Sequence, residues 1–170
     1  MKNLRIMLLI VLLAFFSGIA STVNAVAGGI DVRASSDKMS ENLKKNNLHS
    51  RLVISGGLSF NDALYAYDSL EKHSDLLTTV IKPRKKIYLF SLLPYLAGDD
   101  RVMSSDSEIL LSCTSDFAAE VTKEDLAQYE AIVTTRTNIT LEELRRRMAS
   151  PEPITAEQAV EYGFAHKIVD

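Results

Sequence analysis

The sequence predicts an α/β protein built on parallel strands, and three observations carry that reading. Arg51 leads into Leu52-Val53-Ile54, a short apolar run that stops at Ser55-Gly56-Gly57, as a buried strand stops at a turn. Ala63, Leu64, Tyr67 and Leu70 then recur at three- and four-residue spacing, giving a helix from about Asn61 to Lys72 one apolar face. Leu77 to Ile81 follows as a second apolar run. Strand, glycine turn, helix and strand form a βαβ unit, which pairs its strands in parallel through a right-handed crossover.

The flanking elements follow from local signals. Upstream, residues 26–50 are polar and loosely patterned. Gly28-Gly29 and Ala34-Ser35-Ser36 read as linker or turn, with a weak helix near Met39 to Asn46. Downstream, Lys82 to Lys86 is a basic turn. Ile87 to Ala97 is apolar except for Ser91 and Pro94, and Gly98 reads as a helix stop. Arg101-Val102-Met103 and Glu108 to Leu111 are short strands. Three threonines then sit three residues ahead of a capping partner: Thr122 with Asp125, Thr140 with Glu143 and Thr155 with Gln158. Each pair opens a helix. The first carries Leu126, Tyr129, Ile132 and Val133 on one face, the second ends in Arg145-Arg146-Arg147, and the third is closed by Gly163 before a last strand at Lys167 to Val169. The arginine run reads as a charge complement to a helix C-terminus. Asn138-Ile139-Thr140 fits a glycosylation sequon, but Thr140 is better explained as a cap.

Composition narrows the class. The chain has 170 residues, 46% hydrophobic and 24% charged, a one-domain length that can bury a core without staples. The net charge of −3 gives no electrostatic footprint for nucleic acid. Cys113 is the only cysteine, so neither an intrachain disulfide nor a cysteine-built zinc site can form. No metal or other cofactor is expected. At the N-terminus, Lys2 and Arg5 precede an apolar run from Ile6 to Ala20, and Val23-Asn24-Ala25 fits a signal-peptidase cut. The apolar run is about 15 residues, shorter than the roughly 20 a spanning helix needs. The expectation is a signal peptide over residues 1–25, cleaved after Ala25, and a periplasmic or secreted product. Contact with a membrane would come only through an uncleaved segment. Residues 26–50 would be a linker and a reduced first unit, and residues 51–170 the folded domain.

Several motifs resemble those of Clp protease proteolytic subunits. Ile154-Thr155-Ala156-Glu157-Gln158-Ala159-Val160-Glu161-Tyr162-Gly163 resembles the family's terminal E-x-A-x-x-Y-G helix, and Phe164 to Val169 the strand after it. Thr135 to Leu144 resembles its T-G-x-x-x-E-x-[IL] junction, Ile54 to Gly57 its S-P-G-G turn, and Tyr67-Asp68-Ser69-Leu70 its Y-D-x-[LM] helix end. Gly98 followed by Arg101-Val102-Met103 resembles the stretch after the catalytic helix. The resemblance implies a crotonase-like fold of stacked ββα units with a mixed, mainly parallel sheet, usually assembled into rings. It also implies that an amide at Gly56-Gly57 helps bind an oxyanion. A tight strand-to-helix turn accounts for the same two glycines.

The catalytic positions depart from the family. Its serine would fall on Leu89, nine positions ahead of Gly98, its histidine on Ser112, and its aspartate on Arg147. Lys85, Ile87 and Ser91 stand where small residues normally surround the serine. His49, His73 and His166 all lie away from the expected base. An unactivated serine is a weak nucleophile, so serine-peptidase chemistry is not expected. One alternative stays open. If Ile87 to Phe90 is a strand and a helix begins at Leu92, Ser91 occupies the strand-to-helix turn, either as nucleophile or simply as N-cap, with Pro94 in the first turn. The family's ring-stacking handle is reduced to Cys113 to Val121. The expected product is therefore a small homo-oligomer with a binding or assembly role toward a peptide or protein ligand.

Overall fold

The computed structural model describes residues 24–25, 32–46, 49–112 and 121–170. The expectations for residues 1–23, Gly28-Gly29, Cys113 and the shortened handle lie outside the described residues.

The predicted βαβ unit is present. Strand β1 covers Asn24–Ala25 and β2 covers Ser50–Ile54. Helix α2 (Phe60–Leu70) begins at Ser59, whose hydroxyl accepts the Asp62 amide at 3.2 Å. A 3₁₀ segment, Glu71–Leu76, then carries the chain to β3 (Leu77–Ile81). The helix therefore ends two residues before the predicted Lys72. Ala63, Ala66 and Leu70 are buried on its inner face.

Upstream, the structure corrects one reading. Helix α1 spans Val32–Asn46, so Ala34-Ser35-Ser36 is helical and not a turn. Its buried face is Ser36, Met39 and Leu43, spaced by three and four residues. Only two of these are strongly apolar, which makes the sequence pattern weak. The helix lies along α2, and the Tyr65 hydroxyl donates to Asp37 Oδ1 at 2.8 Å.

The rest of the chain repeats one scheme of strand, turn, second strand and helix. After β3 the chain turns through Pro83-Arg84 into β4 (Lys86–Tyr88), a 3₁₀ turn (Leu89–Ser91) and α3 (Leu92–Leu96). Next come β5 (Asp100–Ser104), a turn, β6 (Glu108–Leu110) and α4 (Lys123–Arg136). Helices α5 (Leu141–Met148) and α6 (Ala156–Glu161) lead to β7 (Lys167–Val169). All three predicted threonine caps form, two of them as full capping boxes. The cap of α5 is one-sided, because Glu143 turns its carboxylate to arginines instead.

One sheet runs β1-β2-β3-β5-β7, with every pair parallel. A second, small sheet pairs β4 with β6, also in parallel. Gly56 bridges to Ile87 at its edge, and Ile154 makes an antiparallel bridge to Ile109, the one departure from parallel pairing among the described strands. Ile87, Ile109 and Ile154 are all fully buried, so this small sheet turns one face into the core. A cut after Ala25 would take β1 out of the larger sheet. Among the described residues no helix is long and apolar enough to cross a membrane.

Two glycines have distinct reasons. Gly163 follows α6 with φ +75°, a conformation that only glycine adopts without strain. Gly98 also follows a helix, as predicted, but its cause is space. A Cβ there would lie 2.6 Å from the Leu77 carbonyl oxygen on β3.

Candidate functional site

The region that the motifs single out is assembled where β4 and β6 end. The two strands run in register, Tyr88 opposite Leu110. Leu89 and Ser112 therefore leave the carboxyl ends of neighbouring parallel strands, a usual place for binding sites in α/β sheets. Gly56 is stitched to the same sheet: its N–H donates to the Lys86 carbonyl at 2.9 Å, and its carbonyl accepts the Tyr88 N–H at 3.2 Å. The glycine turn thus meets the chain one residue before Leu89.

That bonding divides the two glycine amides. The Gly56 N–H is committed to Lys86 and cannot also serve a ligand. Gly57 is buried and makes no backbone bond of this kind among the described residues. The positive φ of Gly56, 81°, lets the chain leave β2, touch β4 and enter α2 within a few residues.

Leu89 is buried in the 3₁₀ turn, packed into the main core with Phe90 and Leu92. Ser91 does stand between strand and helix, with Pro94 in the first turn of α3. The strand, however, ends at Tyr88, not at Phe90. Ser91 is 0% exposed, and its hydroxyl has no hydrogen-bond partner among the described residues. It is not a side-chain N-cap either, since its backbone is helical (φ −64°, ψ −12°) and it makes no cap bond. A nucleophile needs a base in hydrogen-bond reach and a path for substrate. Among the described residues Ser91 Oγ has no hydrogen-bonded base, and it is buried.

Ser112 is buried just past β6. Arg147, at the position of the family's acid, belongs to a closed network. Its Nε donates to Glu143 Oε1 at 3.1 Å and its Nη2 to the Tyr162 hydroxyl at 2.8 Å, while that hydroxyl donates to the same Glu143 oxygen at 2.7 Å. The guanidinium also lies over the Tyr162 ring, 5.4 Å from its centroid. The other two arginines of the run are likewise paired. Arg146 forks onto Glu143 with two bonds of 2.6 Å, and Arg145 forks onto the buried Glu130 with two of 2.7 Å. The run is therefore a set of specific clamps joining α4, α5 and α6, beyond a helix charge complement. Arg145 holds the Glu130 carboxyl below the usual range.

The histidines sit elsewhere. The His49 Nε2 is 2.6 Å from the Thr78 hydroxyl, and the His166 Nε2 is 2.8 Å from an Arg101 nitrogen. Neither bonds to Ser91. Among the described residues no group of His, Cys, Asp or Glu side chains is arranged to hold a metal ion.

This geometry defines an α/β protein of stacked strand–strand–helix units. More particularly, the chain has the ClpP-type fold. It superposes on ClpP1 from Listeria monocytogenes with a TM-score of 0.66 at 15% identity, over 88% of this chain and 91% of that one. It matches the ClpP protease catalytic domain from Plasmodium falciparum with a TM-score of 0.63 at 18% identity, over 89% and 83%. No family model matches the sequence, and no curated protein matches it. The likeness is one of backbone, and it leaves the catalytic roles to this chain's own residues.

Proposed function

We propose that the chain is an exported ClpP-fold protein that has lost serine-peptidase chemistry and works by binding or assembly. The observation that carries this is the state of Ser91, a fully buried hydroxyl with no partner among the described residues, two positions after the leucine at the expected nucleophile position. Leu89, Ser112 and Arg147 leave the three triad roles empty, and Arg147 is already engaged with Glu143 and Tyr162. With nucleophile or base gone from such a triad, kcat falls by about 10⁶. The bulk of Ile87 and Leu89 narrows whatever site remains. The peptide or protein ligand would contact an exposed face, and the protein would act as a small homo-oligomer outside the cytoplasm.

The test is a fluorophosphonate probe applied to the folded wild type and to Ser91→Ala. No labelling of either is expected. Labelling of the wild type that vanishes in Ser91→Ala would make Ser91 the nucleophile of a diverged serine hydrolase, using the Gly57 amide for its oxyanion.

A further inference from the structure

Arg101 begins as an ordinary strand residue by sequence, yet its side chain is buried, at 5% exposure. Its guanidinium donates to the carbonyls of Phe164 (2.9 Å), Gly98 (3.1 Å), Gly163 (3.0 Å) and Arg136 (3.2 Å), and to His166 Nε2 (2.8 Å). Every one of these partners is neutral. Burial and the Arg101 charge hold the His166 ring below its usual range, so it adds no charge at neutral pH.

Arg136 stands beside it and shares the Gly98 carbonyl at 3.4 Å. It also donates to Leu96 O (3.1 Å) and pairs with Asp99 at 2.9 Å. The neighbouring Asp100 is turned to Thr78 (3.1 Å) and Lys167 (3.8 Å). Two guanidinium ions therefore stand beside Asp99, and Asp100, whose charge also reaches His166, is shared with Lys167, so three cations face two carboxylates. The carbonyls at the ends of α3 and α4 offset part of the excess, but a cation taken out of water calls for a countercharge.

The space for one is present. Arg101, Arg136, Thr135, Asn138 and His166 line a cavity of about 390 Å³. Arg136 makes these bonds through Nε and Nη2, and Thr135 and Asn138 are exposed beside it, which gathers further donors at one opening. A purely structural clamp would account for the bonds of Arg101. It would not account for a cavity with spare donors and uncompensated charge.

We propose that this cavity binds a small oxyanion of the phosphate or sulfate type. Guanidinium groups bind such anions through paired N–H donors, and low-dielectric surroundings strengthen the attraction. The protein as a whole is acidic, with net charge −3, so long-range steering does not help and recognition is local.

The test is titration of the purified full chain with inorganic phosphate, against sodium chloride at equal ionic strength, read by calorimetry and by thermal unfolding. Saturable binding and a rising melting temperature are expected with phosphate only. Arg136→Gln should weaken binding about tenfold or more, since a hydrogen bond to a charged group is lost. Thr135→Asp, at an exposed position, places a carboxylate at the opening and should abolish binding with the circular dichroism unchanged. Arg145→Gln, outside the cavity, should bind as wild type. If Arg136→Gln does not fold, Thr135→Asp decides. No saturable response beyond chloride, or unchanged binding in Thr135→Asp, overturns the proposal.

Discussion

Replacing Ser91 with alanine is expected to stabilise this protein, which is unusual for a core substitution. The Ser91 hydroxyl is shut away from water and bonded to nothing among the described residues. A buried polar group left unsatisfied costs about 1–3 kcal/mol, and alanine removes that cost. No cap is lost, because Ser91 makes no cap bond. The void left by one oxygen costs only a few tenths of a kcal/mol at about 24 cal/mol per Å³. The net gain is roughly 1–2 kcal/mol, or a rise of about 2–6 °C in Tm for a chain of this size. Tyr95 supplies an internal check. Its hydroxyl is also buried without a partner among the described residues, burial drives its pKa far upward, and Tyr95→Phe should shift Tm in the same direction. Thermal and urea unfolding of the wild type and both variants measure the effect. A Tm for Ser91→Ala below the wild type would refute the reasoning, because it would mean that the hydroxyl is bonded after all.

Gly98→Ala should destabilise by about 1–3 kcal/mol, since the new methyl meets the Leu77 carbonyl in a strand that cannot yield; a urea midpoint equal to wild type would contradict this. Arg146 and then Tyr162 hold the Glu143 carboxyl down to about pH 2. A carboxylate depressed on folding stabilises above its unfolded pKa of about 4.3, and that stability drains away as pH falls toward 2. Wild type should therefore exceed Glu143→Gln in urea midpoint at pH 7, and the two should converge near pH 2. Intact mass of protein from the envelope fraction should give an N-terminus at or near Val26; a retained Met1 in a membrane pellet would favour an anchor. Light scattering of that product should report a dimer or trimer, and twelve or more subunits would contradict the reading of the shortened handle.

What the sequence made legible was local. The β2–α2–β3 unit, the three threonine caps, Gly163 and β7 each rest on signals a few residues long. Helix α1 leaves only a weak periodic signal because its inward face has one serine and only two large apolar side chains. The 3₁₀ turn at Leu89–Ser91 hid inside a continuous apolar run, where no period separates strand from helix. The arginine clamps escaped because their partners are distant in the chain: Glu130 for Arg145, Tyr162 for Arg147. The pairing of Arg101 with Arg136 joins residues 35 apart and has no sequence signature. That Leu89 and Ser112 leave adjoining strand ends, and that Gly56 gives its amide to Lys86, depends on pairing between β4, β6 and the glycine turn, which no local motif encodes.

The order of the larger sheet, β1-β2-β3-β5-β7, is the order of the chain itself. No later strand is inserted between two earlier ones, so each strand–strand–helix unit docks on the unit just made. Such a molecule can assemble by accretion, like a short solenoid, with stability dominated by contacts between successive layers. Damage should then stay near where it occurs. Loosening β7 would uncover β5 and its amides to hydrogen exchange while β2 and β3 remain protected, so the protein would fray from its last layer inward before its centre gives way.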